Sequence, residues 1–321
     1  MKQNFWKFTF IAACVCASGL TARAAALVRA DVIANPGWVL HLDCDGLRPT
    51  VMGKYMLAEL DKPEMKGRLG AFQTIFGFDI RNQVHGITLF GSSQAPQDGV
   101  ILVYADFDAS RLVTLAQGAQ DYQSTPHKQQ VIHSWADKRN GGQGRVYAAF
   151  QGNRVIFGQR EDRVTAALDV LNAGAPSLAG SSSFPGLGTS GSGHFIEAAA
   201  RKMDTTNLPP NAAMLKLVKT MQLVVGEKKE QLTGTLTIET DNDDAALQMF
   251  NVTQGLTALL KMQAANNPNV QKLADAMAIT QDGAKVIGNL NLSANDVVEM
   301  MKAFAAQRAA IQAAAATAAK P

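Results

Sequence analysis

The sequence predicts an α+β fold of two tandem, divergent repeats, each a mostly antiparallel sheet with helices packed on one face, of the ferredoxin-like or split βαβ type. Three observations carry that prediction. Residues 173–193, AGAPSLAGSSSFPGLGTSGSG, are dominated by Gly, Ser and Pro and keep no apolar periodicity, so they read as a linker or long mobile loop between two halves. The order of strand-like and helix-like segments is the same on either side of it. Gln151-Gly152-Asn153-Arg154-Val155-Ile156 matches Asp282-Gly283-Ala284-Lys285-Val286-Ile287 at a spacing of about 130 residues, consistent with one inherited unit.

The first module, residues 25–172, opens on Trp38–Asp43, whose alternation predicts a strand, followed by a helical pattern over Arg48–Leu60. Strands follow at Val84–Gly91 and Val100–Ala105, joined by the polar turn SSQAPQDG. The side-chain oxygens of Asp106 to Ser110 can cap orphan amides at the start of a helix over Arg111–Tyr122. Gln130–Ala136, Arg145–Phe150 and Arg154–Gly158 read as strands, the last two closing on Gln151-Gly152-Asn153, and the helix Glu161–Leu171 ends the unit. Asn140 to Gly144 is glycine-rich but joins two strands and opens no helix, which makes it a turn rather than a phosphate cradle.

The second module, residues 194–304, repeats this order. His194–Ala200 is the counterpart strand, a helix is expected near Pro210–Lys219, and Gln222–Val225 with Leu232–Thr240 forms a hairpin. Asp241 to Asp244 holds the cap position before a helix over Ala245–Ala265; its spacing is not that of a calcium loop. Ser293 to Asp296 caps a last helix from Val297 towards Phe304, and the alanine-rich tail 305–321 extends that helix with little apolar bulk to dock it, so it is expected to fray.

Export is expected. Lys2 and Lys7 precede an apolar run over Phe8–Leu20, too short to span a bilayer, and Thr21-Ala22-Arg23-Ala24 offers small residues for cleavage, so residues 1–24 read as a secretory signal with the mature start near Ala25. Ile11-Ala12-Ala13-Cys14 is the alternative, a lipobox that would anchor the chain at Cys14. The net charge of +3 falls to zero once Lys2, Lys7 and Arg23 leave, and no basic cluster remains, so nucleic acid is not an expected partner. Cys14 and Cys16 leave too, which makes an internal disulfide impossible around the lone Cys44. No long apolar run follows the signal, so no transmembrane span is expected in the mature chain.

The sharpest local signal is Trp38-Val39-Leu40-His41-Leu42-Asp43-Cys44-Asp45-Gly46, an apolar strand ending in Asp-x-Asp-Gly. It resembles the first motif of the haloacid-dehalogenase-like phosphatases. That resemblance implies Asp43 as nucleophile and Asp45 as acid/base beside Mg²⁺, on a parallel α/β core. The sequence departs from the family at Leu47, where threonine is usual, and Gly91-Ser92-Ser93 is not followed by a lysine and paired acids in suitable context. The competing reading of the same residues is plain alternation: Leu40, Leu42 and Cys44 face the core while His41, Asp43 and Asp45 face water. A metal on that outer face, held by His41, Asp43 and Asp45, is the middle reading, although side chains two apart on a strand sit about 6.5 to 7 Å apart and would need another segment to close on one ion.

His85, His127, His133 and His194 lack metal spacing and read as surface or satisfied histidines. Met203, Met214, Met221, Met249, Met262, Met277, Met300 and Met301 enrich the second half, a composition suited to a core or to an adaptable apolar groove. The expected function is therefore a secreted or periplasmic, non-enzymatic binding or scaffold protein of the bacterial cell envelope, without a cofactor. Its partner would be an unknown envelope protein or small ligand, bound at the cleft that tandem modules create. A Mg-dependent hydrolase using Asp43 and Asp45, and a carrier of an apolar ligand in the methionine-rich half, are the alternatives.

Overall fold

The computed structural model describes residues 26–137, 144–189, 193–202, 215–264 and 267–318. The expected signal with Cys14, most of the Asn140–Gly144 turn, Met203 and Met214 lie outside the described residues. In chain order the first half forms β1 (Trp38–Asp43), α1 (Cys44–Leu47), α2 (Val51–Leu60), α3 (Pro63–Phe76), β2 (Val84–Gly91), β3 (Gly99–Ala105), α4 (Ala109–Gln117), β4 (Gln123–His127), β5 (Gln130–Asp137), β6 (Gly144–Gln151), β7 (Arg154–Gly158) and α5 (Glu161–Leu171). The second forms β8 (His194–Arg201), β9 (Val218–Lys228), β10 (Gln231–Thr240), α6 (Asp243–Ala264), α7 (Pro268–Asp275), β11 (Met277–Asp282), β12 (Lys285–Ser293) and α8 (Ala294–Ala318). No described helix is long and apolar enough to cross a membrane.

The fold is α+β, as the sequence predicts, and among the described residues every strand pairing is antiparallel. The two halves do not keep a sheet each. β1 pairs with β8 from Trp38↔Ala200 to Leu42↔Ile196, and this seam fuses all strands into one twelve-stranded sheet of order β11-β12-β10-β9-β8-β1-β2-β3-β7-β6-β5-β4. Within each half the chain meanders outward, then crosses to the far edge through a helical segment and returns, so β3 meets β7 and β10 meets β12. That layout replaces the interleaved split βαβ order.

Helices lie on both faces, a second departure. β7 buries consecutive residues, Val155 and Ile156, so both of its faces need cover. On one side α5 supplies Val164, Ala167 and Leu168 to a core with Val39, Phe90, Leu102, Tyr104 and Ile156. On the other, Phe72 and Phe76 of α3 and Leu112 of α4 pack with Ile87, Val103 and Val155, while Leu47, Met52 and Val297 of α1, α2 and α8 pack with Leu42 and Val225. Ala246 and Met249 of α6 close the far end against Val218, Ile238 and Val286.

Residues 173–189 carry no long element, in line with their composition, yet they are not a free tether. Leu178, Phe184 and Leu187 are buried in the main core. The Arg29 guanidinium donates to the carbonyls of Phe184, Leu187 and Leu178 at 2.7, 2.8 and 2.9 Å, a fork whose several rigid donors suit a loop with unpaired carbonyls.

The expected helix near Pro210–Lys219 lies among the described residues only from 215 onward; residues 215–217 form a 3₁₀ turn, and the end is corrected. Val218 and Lys219 belong to β9, because Val218 is buried and pairs with Thr240. Asn242 is the residue that caps α6, accepting from Ala245 N at 2.9 Å, and Asp108 does the same for α4 through Ser110 N at 2.9 Å. The last helix runs on through the alanine tail to Ala318.

Candidate functional site

The end of β1, where sequence placed Asp43 and Asp45, is tied up in local structure. Asp43 Oδ1 accepts from Gly46 N at 2.7 Å, capping α1, and burial pushes its carboxyl above the ordinary aspartate range. Asp45 is paired with the Arg48 guanidinium, whose Nε donates to Arg81 O at 2.7 Å and whose Nη2 donates to Val84 O. His85, almost fully buried, places Nδ1 at 3.0 Å from Asp45 Oδ2 and Nε2 at 3.1 Å from Asp106 Oδ2, the latter at ion-pair distance but off the hydrogen-bond line. The cluster therefore joins the end of β1, β2 and the loop after β3, with the His85 Nε2 left without a hydrogen bond among the described residues. Burial raises the neighbouring Cys44 thiol to about 11, which leaves it protonated and unreactive at neutral pH.

His41 does not share this site. It is 1% exposed, inside the core, with Nδ1 at 2.9 Å from Thr88 Oγ1 and with Glu197 opposite it across the seam. The expected alternation holds at Leu42 and Cys44, which pack under the helices, and fails before them: Val39 and His41 are buried, and Leu40 is 38% exposed. The reason is that the 178–187 segment and α5 cover the Val39/His41 side of this central strand. Among the described residues no three His, Cys, Asp or Glu side chains converge to hold a metal, and His41, Asp43 and Asp45 are not brought together. Mg²⁺ does not fit here: one carboxylate caps a helix, the other is neutralised by Arg48, and the sheet is antiparallel where the phosphatase resemblance implies a parallel one.

His41 belongs instead to a buried polar chain beneath that covering segment. Arg154 Nε donates to Asp31 Oδ2 at 2.9 Å, the Tyr104 hydroxyl donates to the same oxygen at 2.9 Å, and Thr88 links Tyr104 to His41. Burial and the Asp31 charge push the Tyr104 phenol far up, which keeps it a donor. Glu197 accepts from Gly188 N at 2.6 Å and so fastens the covering segment to the seam.

The opposite face of the sheet is open along one line. In register, Leu236, Leu223, Ala198, Leu40, Leu89 and Ile101 stand side by side on β10, β9, β8, β1, β2 and β3. Four of them, Leu40, Ile101, Leu223 and Leu236, are between 36% and 40% exposed. All six sit on inner strands whose backbones are paired on both sides, so the exposed area is side chain. At about 4.8 Å per strand the row spans roughly 24 Å. Helices cover the neighbouring rows, Leu42, Ile87 and Val103 at one end and Met221 with Ile238 at the other, and leave this one uncovered.

No protein-family profile matches the chain, and no curated protein matches it. Solved structures do. Crystal form III of TP0453 is similar at 10% identity and a TM-score of 0.45, covering 87% of this chain and 99% of that one. Form I gives 10% identity and 0.45 over 86% and 96%, and form IV gives 12% and 0.44 over 87% and 98%.

Sequence reasoning missed the open row, although Val39-Leu40-His41-Leu42 carried the signal: a strand with bulky apolar residues at both parities cannot bury one face and wet the other. His127, 2.8 Å from Asp169, and His133, 2.9 Å from the Tyr122 hydroxyl, are held as expected of satisfied side chains, whereas His194 Nδ1 is buried with no hydrogen-bond partner among the described residues. The methionines divide. Met221 and Met249 pack with α6 in the core, whereas Met262 and Met301 stand exposed on α6 and α8, so these four do not line a single groove.

Proposed function

We propose that this is an exported, non-enzymatic binding or scaffold protein of the bacterial cell envelope, and that it holds a partner protein against the open apolar row of its sheet. The row is the observation that carries the reading. Several large aliphatic side chains lie in contiguous register across inner strands, and exposed apolar surface of that continuity marks interaction sites on folded proteins. The β1 end offers no competing chemistry, since Asp43 and Asp45 are committed to a cap and an ion pair. Export rests on the leader-like residues 1–24, with anchoring at Cys14 as the variant outcome.

The test is site-specific photo-crosslinking in the native envelope. A photoreactive residue at Leu40, Ile101 or Leu223 is expected to give one discrete protein adduct, and the same probe at Thr235, on the opposite, polar parity of β10, to give none. Equal labelling at Thr235, or no adduct along the row, would overturn the reading. Intact mass of the recovered chain reads export directly: a start near Ala25 or an acylated Cys14 supports it, and a retained leader contradicts it.

A further inference from the structure

The twelve-stranded sheet ends on two edge strands, β4 and β11, and the two are built differently. In an antiparallel pair, residues that direct both main-chain groups at the neighbouring strand alternate with residues that turn both away from it. On β11 the phase is fixed by the bond from Asn291 N to Ala276 O at 3.0 Å, one residue before the strand. Counting on in register, Ala278, Thr280 and Asp282 bond to β12, and Met277, Ile279 and Gln281 present N–H and C=O outward. Among the described residues, none of these outward groups has a partner.

The β4 edge is blocked. The bond from Ala136 N to Gln120 O at 3.0 Å and the tight turn between His127 and Gln130 set its phase, which leaves Ser124 and Pro126 outward. Proline has no N–H to donate, so the middle of that edge cannot complete a ladder. The β11 edge carries none of the devices that keep edges apart: it has no proline, no lysine and no break in register along β12. Its one charge, Asp282, stands at the end of the strand. Ile279 packs with Met249 of α6 on the helical face, whereas Ala278 and Thr280, on the other face, are small and exposed.

We propose that β11 pairs antiparallel with β11 of a second copy of this chain, about a two-fold axis through Ile279. That is the register in which all three outward residues find a partner. Ile279 meets its own counterpart, Met277 meets Gln281, and each such pair exchanges two main-chain hydrogen bonds. Between them Ala278 stands opposite Thr280, and Asp282 falls opposite Ala276, so no like charges face each other. Joining β11 of one copy to β4 of the next would propagate into a filament, and Pro126 opposes it; β11 against itself closes as a dimer. A single strand pair is a small interface, so the association is weak and concentration-dependent. The contact is made by main chain at the end of the sheet, whereas the apolar row is side chain on inner strands, so neither reading depends on the other.

Sedimentation velocity and amide hydrogen exchange of the mature protein, from dilute to concentrated solution, test it. A dimer is expected to grow in with concentration. The amides of Met277, Ile279 and Gln281 should slow in step with the dimer fraction, while the Ser124 amide keeps its rate. Ala278→Lys with Thr280→Lys, both at exposed side chains, sets like charges opposite one another across the axis and should weaken association at least tenfold. Mixed with a copy carrying Ala278→Glu and Thr280→Glu, that variant should associate again, which a folding defect would not permit. Ser124→Lys, on the other edge, should leave association unchanged. A monomer at every concentration, a dimer whose β11 amides stay fast, or a dimer indifferent to the paired lysine changes would overturn the proposal.

Discussion

At the scale of single residues, burial sets the chemistry of the β1 end. Asp43 is half-buried beside Asp45, and its folded-state carboxyl lies above the unfolded value near 3.8. A raised acid favours the fold most when protonated, so its contribution is complete below the unfolded value and is lost as pH rises through the folded one. Asp43→Asn keeps an oxygen to accept from Gly46 N and removes the titration. The stability of the variant relative to the parent should therefore increase from pH 3 to pH 7 in urea melts, and a difference that stays constant would show that Asp43 is not held in the raised state. Cys44 and the aspartates were legible as residues of interest from the Asp-x-Asp-Gly pattern alone. Two of their partners, Gly46 for Asp43 and Arg48 for Asp45, lie three residues away, but His85 reaches Asp45 from β2, and Arg81 and Asp106 join the cluster through Arg48 and His85, at separations that no local spacing encodes.

At the scale of elements, short-range chemistry decides most boundaries and a few are strained. Gly152 at φ 59° and Gly283 at φ 54° turn the two matched hairpins at the positions where sequence placed them. The β9–β10 hairpin instead turns on Lys229 at φ 51° and Glu230 at φ 60°, left-handed conformations that cost a side-chain-bearing residue roughly 1 kcal/mol or more. Replacing the pair by Lys229→Asn and Glu230→Gly should raise the unfolding free energy by about 1 kcal/mol in denaturant titrations. The main-chain bond from Ala294 N to Glu230 O, 2.8 Å, survives the change. A loss of stability would mean that the two side chains contribute more than the strain costs. Helix α3 escaped the sequence reading for a related reason: Gly67 and Gly70 weaken its intrinsic propensity, and it is held by the packing of Phe72 and Phe76 on Phe78 and the sheet. The Pro210–Lys219 reading failed in the opposite direction at Val218 and Lys219, since pairing with β10 overrides a local pattern there.

At the scale of the whole molecule, the β1–β8 seam is the decisive contact. Glu227 of β9 accepts from Val51 N at 2.7 Å and Met52 N at 3.1 Å, so the start of α2 in the first half is capped from the second. Arg29 ties the chain's first described residues to the segment between the halves, the polar chain from Arg154 to His41 runs under that segment, and Glu197 of β8 fastens it through Gly188 N. Scanning calorimetry should consequently show one cooperative transition with matching calorimetric and van't Hoff enthalpies. Two resolved transitions would mean that the seam is weaker than either half.

Sequence by itself determined the α+β class, the antiparallel pairing implied by short hairpin turns, most strands, and the punctuation at Gly152, Gly283, Asp108 and Asn242, because these depend on residues near one another in the chain. Only the tertiary structure decided that the two halves share one sheet, that residues 178–187 are core rather than tether, and that His41 is buried while Leu40 is open. Those outcomes turn on which face of a central strand is covered, and that is set by contacts between residues as distant as Arg29 and Leu187 or His41 and Glu197. Alternation along a strand shows that two faces differ, but it takes the packed neighbours to say which one is inside.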